Sequence, residues 1–363
     1  MQSRSMFRFH SVVCLLVAFL FSIAPAHADS STTTKRTVTK LSEGVFEIRH
    51  PDAPDGFPQS NTTVIIGERG VLVVDTCLLP TTAREDIQQI KQWTDKPVTF
   101  IVNTHWHFDH TLGNAEYAAA FPNVQIIAQV ATQRLITEYN PGAVVRYPSR
   151  AERFKKILDS GKDPDGKPLS EGDRKDYQKA LDGIAPVVAE MKGVQQLSPN
   201  ISFDSALNID LGHRLVEIKF LGRGNTAGDT VIYLPAEKIL CAGDLLDHPV
   251  PYLYGGIPTE QAATLTKMAE LDATTIVPGH GDVLHDKTYI WLVIDLLNTV
   301  NASVEKALNQ GKTLDEAMEL VPKDVDEATW RKKFVGSDVE DGEAFDGTFS
   351  SVVKNTYNLV KAR

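Results

Sequence analysis

The feature that most constrains the fold of this chain is a cluster of metal-binding residue types close behind a short apolar run. Residues 98–102 are typical of a buried strand, and His105, His107, Asp109 and His110 follow them. Zinc prefers imidazole nitrogen and carboxylate oxygen. Alternate residues of an extended segment point the same way, so His105 and His107 can share one ion, while Asp109 and His110 on the following turn can reach a second. A surface histidine cluster explains the pattern less well, because three of the ten histidines stand here around one aspartate.

Strand and helix patterns alternate on both sides of this cluster. Apolar runs at residues 63–66 and 71–74, separated by turn residues, predict an antiparallel hairpin over residues 62–75. Thr82 and Glu85 form a capping-box pattern before a helix. The remaining predicted strands lie at residues 45–48, 98–102, 124–128, 206–211, 215–221, 229–234, 239–242 and 275–277, and further helices at about 114–121, 132–139 and 260–271. Two rounds of strands followed by helices predict an α/β fold with two sheets inside four layers.

Two regions differ in character from this alternation. Residues 146–200 are charged and have helical spacing, which predicts a helical insertion beside the cluster. Residues 286–363 also have helical patterns, with a capping box at Thr313 and Glu316, and predict a helical C-terminal extension.

The first residues have the three parts of a secretory signal peptide. Arg4 and Arg8 precede an apolar run at residues 12–23, and a small-residue cleavage site ends at Ala28. Residues 1–28 are therefore predicted to be removed on export, which gives a periplasmic or secreted protein without a stable membrane anchor. An uncleaved anchor helix is the alternative, although the apolar run is short for a membrane span.

The charge of the chain limits the classes of partner that it can bind. The formal net charge is −10 and no basic cluster is present, which argues against nucleic acid or an anionic membrane as the partner and leaves a small-molecule substrate.

Cys77 and Cys241 each end an apolar run, so both are expected to be buried at strands. A disulfide between them is the less favoured interpretation, because spacing alone does not bring two cysteines within bonding range.

The cluster is an HxHxDH motif, and through it the chain resembles the metallo-β-lactamase superfamily. Residues 222–229 resemble the family's Gly-x-x-His-Thr-x-Gly-Asp loop. Residues 241–244 resemble the segment whose aspartate bridges two metals in the glyoxalase II-like branch, and residues 278–281 resemble the loop with the last histidine ligand. The resemblance implies a catalytic domain at residues 36–285 with the four-layer αββα metallo-β-lactamase sandwich.

The resemblance also implies a zinc-dependent hydrolase that binds one or two ions. The metal ligands that it implies are His105, His107, Asp109, His110, Asp244 and His280. Asp109 would also orient a metal-bound hydroxide as the catalytic residue, and Asp244 would bridge the ions. The first-ranked substrate is a cyclic amide or ester such as a β-lactam. Lactones, thioesters and sulfate esters are the alternatives, as is a metal-binding protein without catalysis; only Arg223 lies near the motifs as an anion-binding group.

One position departs from the family pattern. Asn225 stands where the family usually has its third histidine ligand for the first metal. An amide oxygen is a weaker zinc ligand than imidazole, so Asn225 either binds a weakly held ion or hydrogen-bonds to the ligands. His248 is the histidine best placed to substitute for the missing ligand.

Residues around the motifs have less specific interpretations. Asp75 ends a strand that faces the histidine loop and is expected to order that loop rather than bind metal. Tyr252 and Tyr254 either line the substrate cleft or belong to a packed loop. Trp106 and Phe108 alternate with the ligands, so they are expected to point away from them into the core.

Overall fold

The computed structural model describes residues 35–164, 166, 168–338 and 340–362. The predicted signal peptide, residues 1–28, lies outside the described residues. In the part of the chain that is described, no helix is both long and apolar enough to cross a membrane.

The described residues contain two β-sheets. The first sheet has seven strands in the order β1 to β7: β1 (Thr37–Ser42), β2 (Val45–Arg49), β3 (Thr62–Ile66), β4 (Val71–Val74), β5 (Val98–Val102), β6 (Gln125–Gln129) and β7 (Ile201–Phe203). The second has five strands in the order β12-β11-β10-β9-β8: β8 (Ala206–Asp210), β9 (Leu215–Phe220), β10 (Thr230–Leu234), β11 (Ile239–Gly243) and β12 (Thr275–Pro278). Strands β3 and β4 form the predicted antiparallel hairpin, whereas β4 to β7 are parallel, as are β11 and β12.

Ten helices accompany the sheets in the described chain. They are α1 (Pro80–Trp93), α2 (Asn114–Ala120), α3 (Val130–Arg146), α4 (Ser149–Ser160), α5 (Glu171–Met191), α6 (Pro258–Glu270), α7 (Thr288–Asn309), α8 (Leu314–Asp324), α9 (Glu327–Val335) and α10 (Glu340–Lys361). A short 3₁₀ turn, Phe108–His110, lies in the histidine cluster.

Three apolar cores separate the four layers. Between the sheets, Leu72 and Val102 pack with Ile218 and Ile232. The outer face of the first sheet is covered by α1 and α2, and the outer face of the second by α6, α7 and α10. The strands that face two cores are apolar on both sides, as expected for buried strands. This confirms the predicted αββα sandwich.

The helical C-terminal extension is present, and it is part of the main core. Phe345 and Phe349 of α10 are fully buried with Ile290 of α7 and with Leu240 of β11. Because one cluster joins these helices to the second sheet, α7 and α10 form the fourth layer of the sandwich rather than an attached unit.

Helices α4 and α5 lie within the predicted insertion. They form a core of their own with Tyr147, Phe154 and Tyr177, which also includes Leu112 from the histidine loop. At Gly183, an added Cβ would lie 1.8 Å from the carbonyl oxygen of Pro54. The close backbone approach of α5 to the loop after β2 therefore requires glycine.

The two described cysteines are buried and free. Cys241 lies in β11, as expected, whereas Cys77 lies just after β4 with a positive φ of 59°. They belong to different cores, one between the sheets and the other beneath α1, so the absence of a disulfide between them follows from the layering.

Candidate metal centre

The candidate site lies where parallel strands of both sheets end. His105 and His107 follow β5, and Asp109 and His110 occupy the 3₁₀ turn. Asp244 directly follows β11, and His280 follows β12. Because the carboxyl ends of parallel strands lie at one edge of a sheet, the fold brings residues from distant motifs together.

Asp244 lies between two groups of histidines. Its Oδ2 is 3.1 Å from Nε2 of His105 and 3.6 Å from Nδ1 of His107. Its Oδ1 is 3.0 Å from Nε2 of His110 and 3.7 Å from Nε2 of His280. Each oxygen of one carboxylate therefore faces a different pair of imidazoles.

Asp109 lies beside the second pair of imidazoles, those of His110 and His280. Its Oδ2 lies 3.3 Å from Nε2 of His280 and 3.7 Å from Nε2 of His110. The two imidazole nitrogens are themselves 3.2 Å apart. All six residues expected as ligands thus converge at one place.

The donor atoms of this site fit a divalent cation. Nε2 of His105 and Oδ1 of Asp244 are buried and have no hydrogen bond of normal geometry among the described residues. Burial alone would lower the pKa of His280, but Asp244 raises it to about 9. The set of imidazole nitrogens and carboxylate oxygens is of the kind that zinc prefers.

The carboxylates are held in the ionised form that metal binding requires. Burial opposes ionisation, but the imidazoles of His110 and His105 hold the pKa of Asp244 well below its usual range. His110 and His280 likewise lower the pKa of Asp109. The pKa of His107 is lowered by burial and by His105, which keeps its ring neutral.

Asp75 orients the histidine loop and is not among the converging ligand atoms. Its Oδ1 accepts a hydrogen bond from the backbone N–H of Thr104 at 2.8 Å, and its Oδ2 accepts one from the hydroxyl of Thr104 at 2.7 Å. Nδ1 of His110 lies 2.8 Å from the same Oδ2. Because the carboxylate fixes the Nδ1 proton, Nε2 of His110 faces the centre.

Comparison with known proteins agrees with this geometry. A family model described as the metallo-beta-lactamase superfamily matches residues 55–280, which include all six residues. The chain belongs to the metallo-beta-lactamase superfamily.

The relatives include both sulfatases and β-lactamases. A linear primary-alkylsulfatase from Pseudomonas sp. is 24% identical over 275 residues, which cover 71% of this chain and 49% of that protein. The chain thus spans about half the length of this curated relative. Among solved structures, a metallo-beta-lactamase from Pontibacter korlensis has a TM-score of 0.52 at 20% identity and covers 73% of this chain and 99% of that one. A stereoselective inverting sec-alkylsulfatase from Pseudomonas sp. has a TM-score of 0.59 at 17% identity and covers 89% and 50%. At these identities the solved structures show a shared fold only.

Asn225, the departure from the metallo-beta-lactamase pattern, is buried and unpartnered. Only 2% of it is exposed, and neither its Nδ2 nor its Oδ1 has a hydrogen-bond partner among the described residues. By contrast, the neighbouring Thr226 donates from its backbone and its hydroxyl to Asp229. The amide of Asn225 therefore remains available to a bound group.

The structure does not bring His248 together with the other candidate ligands. Among the described residues, it belongs to no group of converging ligand atoms. Its ring packs edge-on against Tyr289 of α7, with the ring centres 5.0 Å apart, and its backbone N–H donates to the carbonyl of His280.

The Asn225→His variant tests whether this position sets the affinity of the first metal. An imidazole supplies the third nitrogen of a His₃ site, so we expect zinc to bind at least about tenfold more tightly at His105 and His107, which corresponds to about 1.4 kcal/mol. Calorimetric zinc titration of the metal-free protein measures this. Two equal, tight sites in the original chain, unchanged by the substitution, contradict the expectation.

Sequence reasoning missed Asp247. The residue is 4% exposed, its Oδ1 accepts the backbone N–H of His280 at 3.1 Å, and its Oδ2 has no partner. Burial and the charge of Asp244 raise its pKa well above the usual range. Asp247 therefore fixes the loop that carries His280. Its position three residues after Asp244 was the only sequence signal.

Aromatic rings flank the centre. The ring of Trp106 is 4.8 Å from that of His107 and 5.5 Å from that of Tyr139, which is 48% exposed. On the other side, Tyr252 is 5.9 Å from His107 and 5.2 Å from Tyr254. These four residues, Trp106, Tyr139, Tyr252 and Tyr254, are called the aromatic row below. The expectation that Trp106 is a core residue is wrong, because the loop after β5 is irregular and turns the indole toward the other rings of this row.

Phe108, by contrast, packs against the core formed by α4 and α5, and its ring is 5.1 Å from that of Phe57. Its predicted direction, away from the ligands, agrees with this packing. Only one of the two aromatic residues that alternate with the ligands therefore lies at the site.

The loop that carries Tyr252 and Tyr254, called the tyrosine loop below, is held by helix α10. The hydroxyl of Thr348 donates to the carbonyl of Pro251 at 2.8 Å and accepts from the N–H of Leu253 at 3.1 Å. Asn355 donates to the carbonyl of Tyr254 at 3.0 Å. Helix α10 thus fixes one wall of the candidate site.

Proposed function

We propose that the chain is a two-metal hydrolase, with zinc as the cofactor, that cleaves a small ester or cyclic amide. The observation that carries the proposal is the placement of Asp244. Its two carboxylate oxygens face two different imidazole pairs, at 3.0–3.1 Å from the nearer nitrogen of each. A single carboxylate placed in this way suits a shared ligand that sets the spacing of two ions.

The residues of the chain have separate tasks in this reaction. When bound, zinc lowers the pKa of a coordinated water to about 7 and thereby supplies a nucleophile at neutral pH. His105, His107 and Asp244 would hold one ion, and Asp109, His110, His280 and Asp244 would hold the other. Asp109, ionised and 7% exposed, would orient the attacking water. Asp75 keeps the proton of His110 on Nδ1.

The surroundings of the centre favour an uncharged substrate with an apolar part. The leading charges acting on Asp109 are those of His110, His280 and Asp244, and the leading charges acting on Asp244 are those of His110, His105 and His280. Arg223, which lies two residues before Asn225, is paired with Glu260: its Nε is 2.9 Å from a carboxylate oxygen of that residue. Trp106 and Tyr252 offer apolar ring surface next to His107.

A sulfate ester with an alkyl chain is the second candidate. The relative described as a linear primary-alkylsulfatase favours it. The fold match to the sec-alkylsulfatase covers 89% of the chain, against 73% for the Pontibacter β-lactamase. The same aromatic row suits an alkyl chain, whereas the scarcity of cations at the centre argues against the sulfate group.

A chromogenic panel on metal-loaded protein separates these candidates. It contains a cephalosporin, a lactone, a carboxylic ester, a thioester and an aryl sulfate, together with a long-chain alkyl sulfate. We expect hydrolysis of the lactone, the carboxylic ester or the cephalosporin to exceed that of both sulfates and to disappear when the metal is chelated. A clear preference for the alkyl sulfate supports the second candidate. No turnover of any member with two ions bound contradicts both.

A further inference from the structure

A second group of metal-binding residue types lies beneath α1, apart from the candidate centre. It consists of His50 after β2, Cys77 after β4 and Asp86 in α1. One ligand atom of each lies within 4.8 Å of the others. The three residues are 4%, 0% and 0% exposed.

The hydrogen bonds of His50 define which nitrogen faces the group. Its Nδ1 is 2.7 Å from the carbonyl oxygen of Ser60, which can only accept, so Nδ1 carries a proton. Its Nε2 is 2.9 Å from Oδ2 of Asp86. The other oxygen of Asp86 accepts from Nη2 of Arg36 at 2.9 Å. A histidine held by a backbone carbonyl and a carboxylate held by a cation are the outer contacts that metal ligands commonly have.

Several polar atoms around this group have no partner. The hydroxyls of Tyr117 and Ser60 and Nε of Arg36 are buried and make no hydrogen bond among the described residues. Tyr117 is 0% exposed and belongs to the same core as Cys77, and burial together with the charges of Asp86 and Cys77 raises its pKa well above the usual range. A hydroxyl oxygen can coordinate a cation, so the unpartnered hydroxyls of Tyr117 and Ser60 are compatible with a bound cation, whereas Nε of Arg36 can only donate.

We propose that His50, Cys77 and Asp86 form a structural metal site for a zinc-like divalent cation. The cation replaces the proton on Nε2 of His50 and the proton on Sγ of Cys77, and both protons leave to solvent. Two positive charges enter and two leave, so the net charge of the buried cluster is unchanged. Sulfur and imidazole ligands select zinc over magnesium or calcium.

The site lies directly behind the histidine loop. The carbonyl of Cys77 accepts from the N–H of Gly113 at 3.3 Å, and the N–H of Thr76 donates to the carbonyl of His110 at 2.9 Å. A cation at Cys77 therefore stabilises the chain segment against which the loop with His110 rests. This role requires no contact with substrate and does not depend on the proposed function.

Cobalt(II) substitution tests the proposal with a signal that the candidate centre cannot produce. The six ligands of that centre contain no sulfur, so a near-ultraviolet sulfur-to-cobalt charge-transfer band reports on a thiolate ligand alone. The full chain is produced in cobalt-supplemented medium, so that the metal enters during folding. We expect the band in the original chain and, by atomic spectroscopy, one bound metal more per chain than in the Cys77→Ser variant.

Cysteine variants assign the band. The double variant Cys14→Ser with Cys241→Ser leaves Cys77 as the sole cysteine and is expected to keep the band at full intensity. Cys77→Ser is expected to lose the band and one metal, with circular dichroism as the check on folding. No band in the original chain, or a band lost in the double variant, overturns the proposal and leaves a buried water as the occupant. If Cys77→Ser does not fold, the double variant alone decides.

Discussion

The Asp244→Asn variant is expected to lower kcat/KM on the best substrate about 1,000-fold, or about 4 kcal/mol of transition-state stabilisation. The carboxylate faces imidazoles on both sides, with His105 near Oδ2 and His110 near Oδ1. An amide keeps one of the two oxygens, carries no charge and turns an NH₂ group toward the other imidazole pair. Steady-state kinetics and metal content by atomic spectroscopy measure the effect, and we expect fewer bound ions.

The matched control is Asp272→Asn. This aspartate is exposed and pairs with Lys238 at the surface, so the same chemical change there is expected to leave kcat/KM and metal content unaltered. Near-ultraviolet circular dichroism shows whether each variant keeps its fold. A folded Asp244→Asn variant with near-native kcat/KM contradicts the role assigned to this carboxylate.

The second large effect is expected from Phe349→Ala, which should lower the free energy of unfolding by about 3–5 kcal/mol. Phe349 of α10 is fully buried and packs with Phe345 and with residues of α7 and the second sheet. Removing the ring leaves a cavity in the largest core. Chemical denaturation followed by circular dichroism and by activity gives the midpoint of each signal.

The control for this substitution is Leu320→Ala in α8, where the side chain is 41% exposed and the expected loss is below about 0.5 kcal/mol. We expect the two signals of Phe349→Ala to shift together, because α10 shares one core with the second sheet. A shift confined to a separate transition, with activity retained, contradicts the view that α10 belongs to the main fold.

The sequence predicted those parts of the fold that depend on local patterns. Apolar runs gave the hairpin of β3 and β4 and most later strands, and the capping box at Thr313 and Glu316 is present at the start of α8. The six candidate ligands also came from short motifs. In each case the signal lies within a few residues, so no knowledge of the packing was needed.

The parts that were missed depend on contacts between distant segments or on competing local signals. Helix α1 begins at Pro80, since proline suits a first helical position, and the expected cap at Thr82 lies inside the helix. Strand β1 is largely exposed and polar, and β7 has three residues, so neither has an apolar run. Trp106 faces the site only because the loop after β5 leaves extended geometry.

The hydrogen bonds of Thr348 to the tyrosine loop show that the candidate site needs residues beyond the part of the chain that matches the family. The family match ends at residue 280, and every candidate ligand has been synthesised by then. The bonds from Thr348 to Pro251 and Leu253 span more than 90 positions of the chain. Contacts this distant form late, because a long loop must close first. One wall of the site is therefore completed only after the final helix has been made and has docked, and a fragment cut at the family boundary would have its ligands without that wall.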